Sequence, residues 1–115
     1  MASPATYNQV VPQATTYTFQ FQIQDSVTGP WDLTDYLVTM TVRPFAGSTT
    51  VTILATDLNG KISVDGPEGR VTVTLSALDT AIKAEPYVYD LMLDSGTTVT
   101  RALEGQFIVT AGVTV

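Results

Sequence analysis

The sequence predicts an all-β domain built as an antiparallel two-sheet sandwich, and three observations support this prediction. Apolar and polar residues alternate with a period of two along most of the chain, which is typical of half-buried strands. Groups of Gly, Asn, Asp and Pro interrupt the alternation about every 8–12 residues, the spacing of turns in β-sandwiches. The chain has 115 residues, which fits one domain rather than two.

The first third of the chain contains two strand patterns. The clearer one spans residues 15–24, where three aromatic residues and Ile23 alternate with Thr and Gln. Residues 37–43 alternate in the same way until Pro44, which removes the next backbone donor. Between these strands we interpret residues 31–36 as an elbow that closes one end of the sandwich.

The middle of the chain contains two predicted strand–turn–strand units. Residues 49–55 are rich in β-branched side chains, and residues 57–60 form a turn of the hairpin-closing type. We therefore expect residues 61–64 to be the return strand of that hairpin. A second tight turn at residues 65–69 leads to a strand at residues 70–75.

One short helix is predicted, over residues 76–84. Ser76 is a favourable N-cap, and Asp79 three residues later resembles the second member of a capping box. Pro86 then favours an extended chain, so the helix has two turns at most.

The last third contributes a strand at residues 87–93 and return strands at residues 98–103 and 106–109, with a bulge expected at Gly105. Seven to eight short strands indicate an antiparallel immunoglobulin-like β-sandwich, although the cysteine and tryptophan spacing of antibody domains is missing. The predicted core residues are Phe19, Phe21, Val38, Met40, Val73, Leu75, Tyr89, Leu91 and Phe107.

The chain ends are the predicted contact surfaces. Residues 1–14 form either an extended N-terminal arm or the first strand, and residues 15–115 form the single sandwich domain. The candidate edge segments 49–55 and 106–115 contain no Lys or Pro, the residues that usually discourage pairing with another chain. We expect the arm or the C-terminal strand to add to a neighbour's sheet. The expected interface residues are Tyr7, Val10, Val11, Val113 and Val115.

Three charged residues are predicted to be structural. Arg101 and Glu104 would hold the return strand through charge-assisted hydrogen bonds, with Asp90 on the preceding strand as the partner of Arg101. The alternative is that Arg101 contacts another subunit.

The composition removes most routes to catalysis. The chain contains no cysteine and no histidine, hence no thiolate nucleophile, imidazole base or soft metal site. The close carboxylate pairs, Asp32 with Asp35 and Asp65 with Glu68, are explained by solvated turns. No glycine pattern forms a phosphate loop. We therefore expect no enzymatic activity, no cofactor and no metal.

Charge and hydropathy also limit the partners. Five Lys and Arg against eleven Asp and Glu give a formal net charge of −6, which would repel phosphate backbones. No stretch approaches the ~18 apolar residues of a membrane helix. We expect no direct contact with nucleic acid or membrane. The absence of cysteine fits synthesis in a bacterial cytoplasm.

Several motifs point to one family. They are residues 1–7, residues 18–21, residues 31–36, and above all the tyrosine-bearing strand 87–93 followed by 99–105, which contains Arg-Ala-Leu-Glu-Gly. Together they resemble a family of small phage virion proteins that share the layout of the N-terminal module of phage baseplate upper proteins. The resemblance covers nearly the whole chain. Its relatives carry more Arg and Lys where this chain has residues 39–41, Thr-Met-Thr, so the neighbouring protein stays open.

The resemblance implies a structural role in a bacteriophage virion, in the tail, baseplate or fibre-anchoring apparatus. The implied partners are other virion proteins, and the chain would be present as a homo-oligomer or in multiple copies. Since this chain ends at Val115, we expect no receptor-binding part of its own. A capsid decoration (cement) protein is the alternative. A carbohydrate-binding module is a second alternative, which requires Trp31, Tyr36 and Tyr87 to face a glycan.

Overall fold

The computed structural model describes residues 5–25, 29–30 and 32–111, and the side chains of residues 6–23 and 32–111. These residues form strands and turns and contain no helix. The strands are β1 (Ala5–Thr6), β2 (Gln9–Pro12), β3 (Tyr17–Gln22), β4 (Gln24–Asp25), β5 (Gly29–Pro30), β6 (Leu37–Arg43), β7 (Ile53–Thr56), β8 (Ile62–Asp65), β9 (Arg70–Leu75), β10 (Pro86–Asp94) and β11 (Val99–Thr110). The all-β prediction is confirmed.

The larger sheet has the strand order β1-β11-β10-β6-β7, and β2 also pairs with β11. Its central strands are antiparallel, with β10 between β11 and β6. β1 and β2 both run parallel to β11 and follow one another along the same side of it. Residues 5–12 therefore occupy the position of a first strand in the chain's own sheet.

The smaller sheet has the order β3-β9-β8, all antiparallel, while β4 and β5 pair with each other. The turn at residues 65–69 joins β8 to β9 as a hairpin, as predicted. The hairpin predicted across residues 57–60 is wrong, because β7 pairs with β6 and β8 pairs with β9. Residues 57–60 instead carry the chain from the larger sheet to the smaller one.

Both sheets bury one face in a single hydrophobic core. All nine predicted core residues are buried, and none of their side chains is more than 9% exposed. Leu33, in the predicted elbow, is also buried in this core, and its N–H donates a hydrogen bond to the carbonyl of Gly66 (2.7 Å). The register of the apolar faces is therefore confirmed. Two sheets around one core give a sandwich-like arrangement.

The helix predicted over residues 76–84 is wrong, although its capping box forms. The N–H of Asp79 donates to Ser76 Oγ (3.1 Å), and the N–H of Ser76 donates to Asp79 Oδ2 (2.9 Å). The segment stops after one turn because long-range contacts hold it there. Thr80 is fully buried, its hydroxyl donates to the carbonyl of Thr15 (2.6 Å), and Asp79 pairs with Lys61 (2.6 Å).

The two predicted return strands are one continuous strand, β11. Gly105 pairs in register with Tyr89, so the bulge predicted there is wrong. The register shifts where Leu91 faces Leu103 and Met92 faces Arg101, which leaves Ala102 as the extra residue.

Candidate assembly surface

The N-terminal edge of the larger sheet is interrupted at Tyr7 and Asn8, between β1 and β2. The N–H of Tyr7 donates to the carbonyl of Glu104 (2.9 Å). Asn8 continues the ladder with its side chain, whose Oδ1 accepts the N–H of Gln106 (2.9 Å). The gap between the two short strands is therefore bridged by hydrogen bonds to β11.

A buried polar cluster lies beneath this edge. The Tyr89 hydroxyl donates a hydrogen bond to the backbone carbonyl of Tyr7, and the Tyr17 hydroxyl donates to Gln9 Oε1 (2.9 Å). Gln9 and Tyr89 are both buried. Burial is the main cause that raises the pKa of Tyr89 to about 12. These hydrogen bonds fasten the N-terminal segment to the domain, since breaking them would leave buried polar groups unpaired.

The predicted interface residues divide into three groups. Val11 lies in the core and is fully buried, so it is not accessible while the segment is docked. Tyr7 and Val10 are 56% and 57% exposed and remain available to a neighbour. Val113 and Val115 lie outside the described residues.

The strand part of the second predicted edge segment, residues 106–110 of β11, is not an edge. Phe107 faces Gln9 of β2 on one side and Tyr87 of β10 on the other. The first predicted edge, residues 49–55, does overlap an outer strand, because β7 is the last strand of the larger sheet.

The three predicted structural charges lie on the outer face of the β10–β11 pair. Arg101 Nε is 3.2 Å from Asp90 Oδ2, which confirms the expected pairing. Their side chains are 52% and 31% exposed, so this is a surface ion pair of little stabilising value. Glu104 faces Asp90 across the ladder, and within the described residues its carboxylate forms no ion pair. Its backbone carbonyl, rather than its charge, fastens Tyr7.

A shallow groove of about 610 Å³ lies over these residues. Strands β6, β10 and β11 line it, and its charged side chains are Arg43, Asp90, Arg101 and Glu104. Two of the chain's five basic residues are therefore here, although the chain is acidic. Arg43 Nη1 also donates to the carbonyl of Ser48 (3.1 Å), which holds the β6–β7 loop at the rim. The groove therefore presents both signs of charge on the outer face of the larger sheet.

No protein-family model matches the chain, and no curated protein matches it at a significant level. In the part of the chain that the structure describes, no three Asp or Glu side chains converge on one point. The Asp32 carboxylate instead accepts hydrogen bonds from the Thr34 hydroxyl and N–H, which lower its pKa. Across the described ranges, no helix has the length and apolarity needed to cross a membrane.

Sequence reasoning missed the role of Tyr87. Its ring is buried, and its hydroxyl donates to the carbonyl of Lys83, four residues earlier (2.8 Å). A tyrosine immediately after Pro86, at the start of a strand, is the signal that could have found this contact. It fixes the loop that connects the smaller sheet to the larger one.

Proposed function

We propose that this chain is a non-enzymatic structural protein of a bacteriophage virion, made in the host's bacterial cytoplasm, which binds other virion proteins in the tail, baseplate or fibre-anchoring apparatus. The observation that carries the proposal is the position of the two most specific motifs. Residues 87–93 and 99–105 lie in β10 and β11, adjacent strands of the larger sheet. Their outward-facing polar residues line the groove.

The charges in the groove support a protein partner. Asp90 and Glu104 face each other across the ladder, and like charges in that position are destabilising. Arg101 pairs with Asp90 and leaves Glu104 without an ion pair in the described part of the chain. A partner that supplies a cation to Glu104 would relieve this cost. Direct binding of nucleic acid is disfavoured, because the groove carries as many carboxylates as guanidinium groups.

The immunoglobulin-like assignment belongs to the same proposal. In that fold, variable-type domains place strands G, F, C and C′ in one sheet. We assign these names to β11, β10, β6 and β7, and the names B, E and D to β3, β9 and β8. The Tyr87 hydroxyl contact with Lys83 supports the assignment, since it corresponds to the tyrosine corner at the start of strand F.

The two alternatives differ in support. A capsid decoration protein would use the same outer face of the sheet, so the capsid is the alternative location of this chain in the particle. A glycan platform built on Tyr36 and Tyr87 is disfavoured, because Tyr87 is buried and Tyr36 packs against the core. Trp31 lies outside the described residues.

The proposal is tested on purified particles of the phage that encodes this chain. Particles carrying the wild-type chain, Arg101→Ala or Arg70→Ala are purified by density gradient, and the chain is quantified by mass spectrometry. Arg70→Ala is the matched control, because Arg70 lies in the other sheet, opposite Asp65. We expect the wild-type chain and the Arg70→Ala chain to be present in the particles in a fixed copy number. We expect the Arg101→Ala chain to be lost from them. Absence of the wild-type chain would overturn the proposed function, whereas normal incorporation of Arg101→Ala would overturn the role of the groove.

A further inference from the structure

The outer edge of β7 combines properties that favour pairing with another strand. β7 pairs with β6 on one side, and among the described residues no strand pairs with its other side. Residues 44–56 contain no charged side chain. Val51 and Leu54 are exposed by 46% and 48%. Natural proteins usually protect such an edge with charges, proline or a covering segment.

The side chain of Asn59 covers this edge. Its Nδ2 donates to the carbonyl of Leu54 (3.0 Å), and its Oδ1 accepts the N–H of Thr56 (3.0 Å). The side chain is held in place because Oδ1 also accepts the N–H of Lys61 (3.1 Å), and the N–H of Asn59 donates to Thr56 Oγ1 (2.9 Å).

The backbone groups of β7 that bond to Asn59 are those that point away from β6. The N–H of Asp57 donates to the carbonyl of Val38 on β6 (3.3 Å), so residues 53, 55 and 57 direct their backbone groups to β6. Leu54 and Thr56 direct theirs away from it. In a parallel ladder, each bonded residue lies opposite one residue of the neighbouring strand. Its N–H donates to the carbonyl of the residue that precedes this opposite residue, and its carbonyl accepts the N–H of the residue that follows it. The Asn59 amide makes this pair of bonds around Ala55, and so imitates one residue of a parallel strand.

We propose that Asn59 closes the β7 edge as a strand mimic, and that the edge beneath it is a pairing surface for a second copy of this chain. When Asn59 turns away, the carbonyl of Leu54 and the N–H of Thr56 are released. The N–H of Leu54 and the carbonyl of Thr56 lie on the same edge. In an antiparallel pair with its two-fold axis at Ala55, Leu54 of each copy faces Thr56 of the other, and all these groups find partners.

A second copy is favoured as the occupant because the outward backbone groups of Leu54 and Thr56 are complementary to the same groups of another copy. Two acidic chains repel each other, but residues 44–56 add no charge to a β7–β7 contact. The outer edge of β8, in contrast, begins after Lys61 and ends at Asp65. Pairing at β7 also brings the exposed Leu54 side chains toward each other. The inference goes beyond the virion proposal and does not depend on it, since its test needs only the purified chain.

The first test measures self-association by sedimentation velocity over a range of concentrations. Asn59→Ala removes the mimic, and we expect its dimer dissociation constant to fall at least tenfold relative to wild type. Asn59→Asp is the matched control. It keeps the acceptor for Thr56, loses the donor and places a charge at the edge, so we expect it to stay monomeric. An Asn59→Ala chain that is folded and as monomeric as wild type would overturn the proposal, as would equal dimerisation of both variants.

A second variant locates the contact. Adding Leu54→Pro to Asn59→Ala removes an outward N–H that β6 does not use, and should restore the monomer; Leu54→Lys serves if the proline variant does not fold. Persistent dimers would place the contact elsewhere and overturn the proposal.

Hydrogen exchange of the wild type needs no variant: the Thr56 amide should exchange at least tenfold more slowly than the Leu54 amide. Equal rates would mean that Asn59 does not cover the edge.

Discussion

The backbone carbonyl of Tyr7 lies over Gly105, so close that a Cβ atom on residue 105 would come 2.7 Å from the carbonyl carbon of Tyr7. This approach lets the carbonyl reach the buried hydroxyl of Tyr89. The glycine is required by the closeness of two backbones rather than by a turn. The N-terminal edge, the central strand β10 and the return strand β11 are joined at this point.

Gly105→Ala should therefore undock the N-terminal edge. Displacing the Tyr7 carbonyl leaves the Tyr89 hydroxyl without its acceptor, and we expect a loss of about 2 kcal/mol or more in the free energy of unfolding. Urea denaturation measures this loss. Gly96→Ala is the comparison: a Cβ there meets nothing within 4 Å, so its loss reports only the backbone strain of a φ of +95° and should be smaller, about 1 kcal/mol. Equal losses at the two positions would contradict the close approach.

Two adjacent valines test how the same edge is docked. Val11 is fully buried and Val10 is 57% exposed. We expect Val11→Ala to lower the free energy of unfolding by about 2 kcal/mol, because it opens a cavity, and Val10→Ala to change it by less than about 0.5 kcal/mol. Thermal and urea unfolding check both values. Similar small effects would mean that the segment is a free arm.

Phe21 tests the core register of the smaller sheet. Its ring packs edge-on against Phe19 at 5.2 Å between centroids and is buried. Phe21→Ala should cost roughly 3–5 kcal/mol, a large part of a typical domain's stability. Leu78→Ala, at a residue 84% exposed, is the control in the same urea assay. A midpoint shift no larger than that of the control would place Phe21 outside the core.

Alkaline pH should weaken the fold through Tyr89. Its pKa is raised from 10.0 to about 12 in the folded state, so between these values the unfolded chain loses a proton that the folded chain keeps. Stability therefore falls as pH rises from about 10 to about 12, by roughly 2–3 kcal/mol for this group. Urea midpoints across this range should fall less steeply in Tyr89→Phe than in wild type. Parallel pH profiles would refute the assignment.

Arg101 tests whether the groove serves stability or contact. Its pair with Asp90 is half exposed, so Arg101→Ala should change the free energy of unfolding by no more than about 1 kcal/mol. The isolated domain, measured by urea unfolding beside Arg70→Ala, gives this value. A loss of several kcal/mol would mean that Arg101 is a structural residue and that poor incorporation into particles reflects misfolding.

The sequence predicts where the strands lie better than it predicts which strands pair with each other. β6 ends just before Pro44 and β9 begins just after the turn at 65–69, and both are local signals in the sequence. The pairing of β7 does not follow, because a turn signal at 57–60 is the same whether the chain returns to its own sheet or crosses to the other. The capping box at Ser76 was likewise visible, but the contacts that end its single turn were not.

The candidate surface could be predicted only in part. The pair of Arg101 and Asp90 follows from two neighbouring strands. The contact between Tyr7 and Tyr89 joins residues 82 positions apart, and no local pattern indicates it. The sequence shows Gly105 as a glycine within a strand pattern, but the reason for it, the close approach of the Tyr7 backbone, appears only in the folded structure.

Cryo-electron microscopy of the purified particle is the most direct test of the structural role. We expect to trace the chain in several copies, with Arg43, Arg101 and Glu104 in contact with a neighbouring virion protein and a cation of that neighbour beside Glu104. A particle without the chain, or one in which the groove faces solvent in every copy, would contradict it.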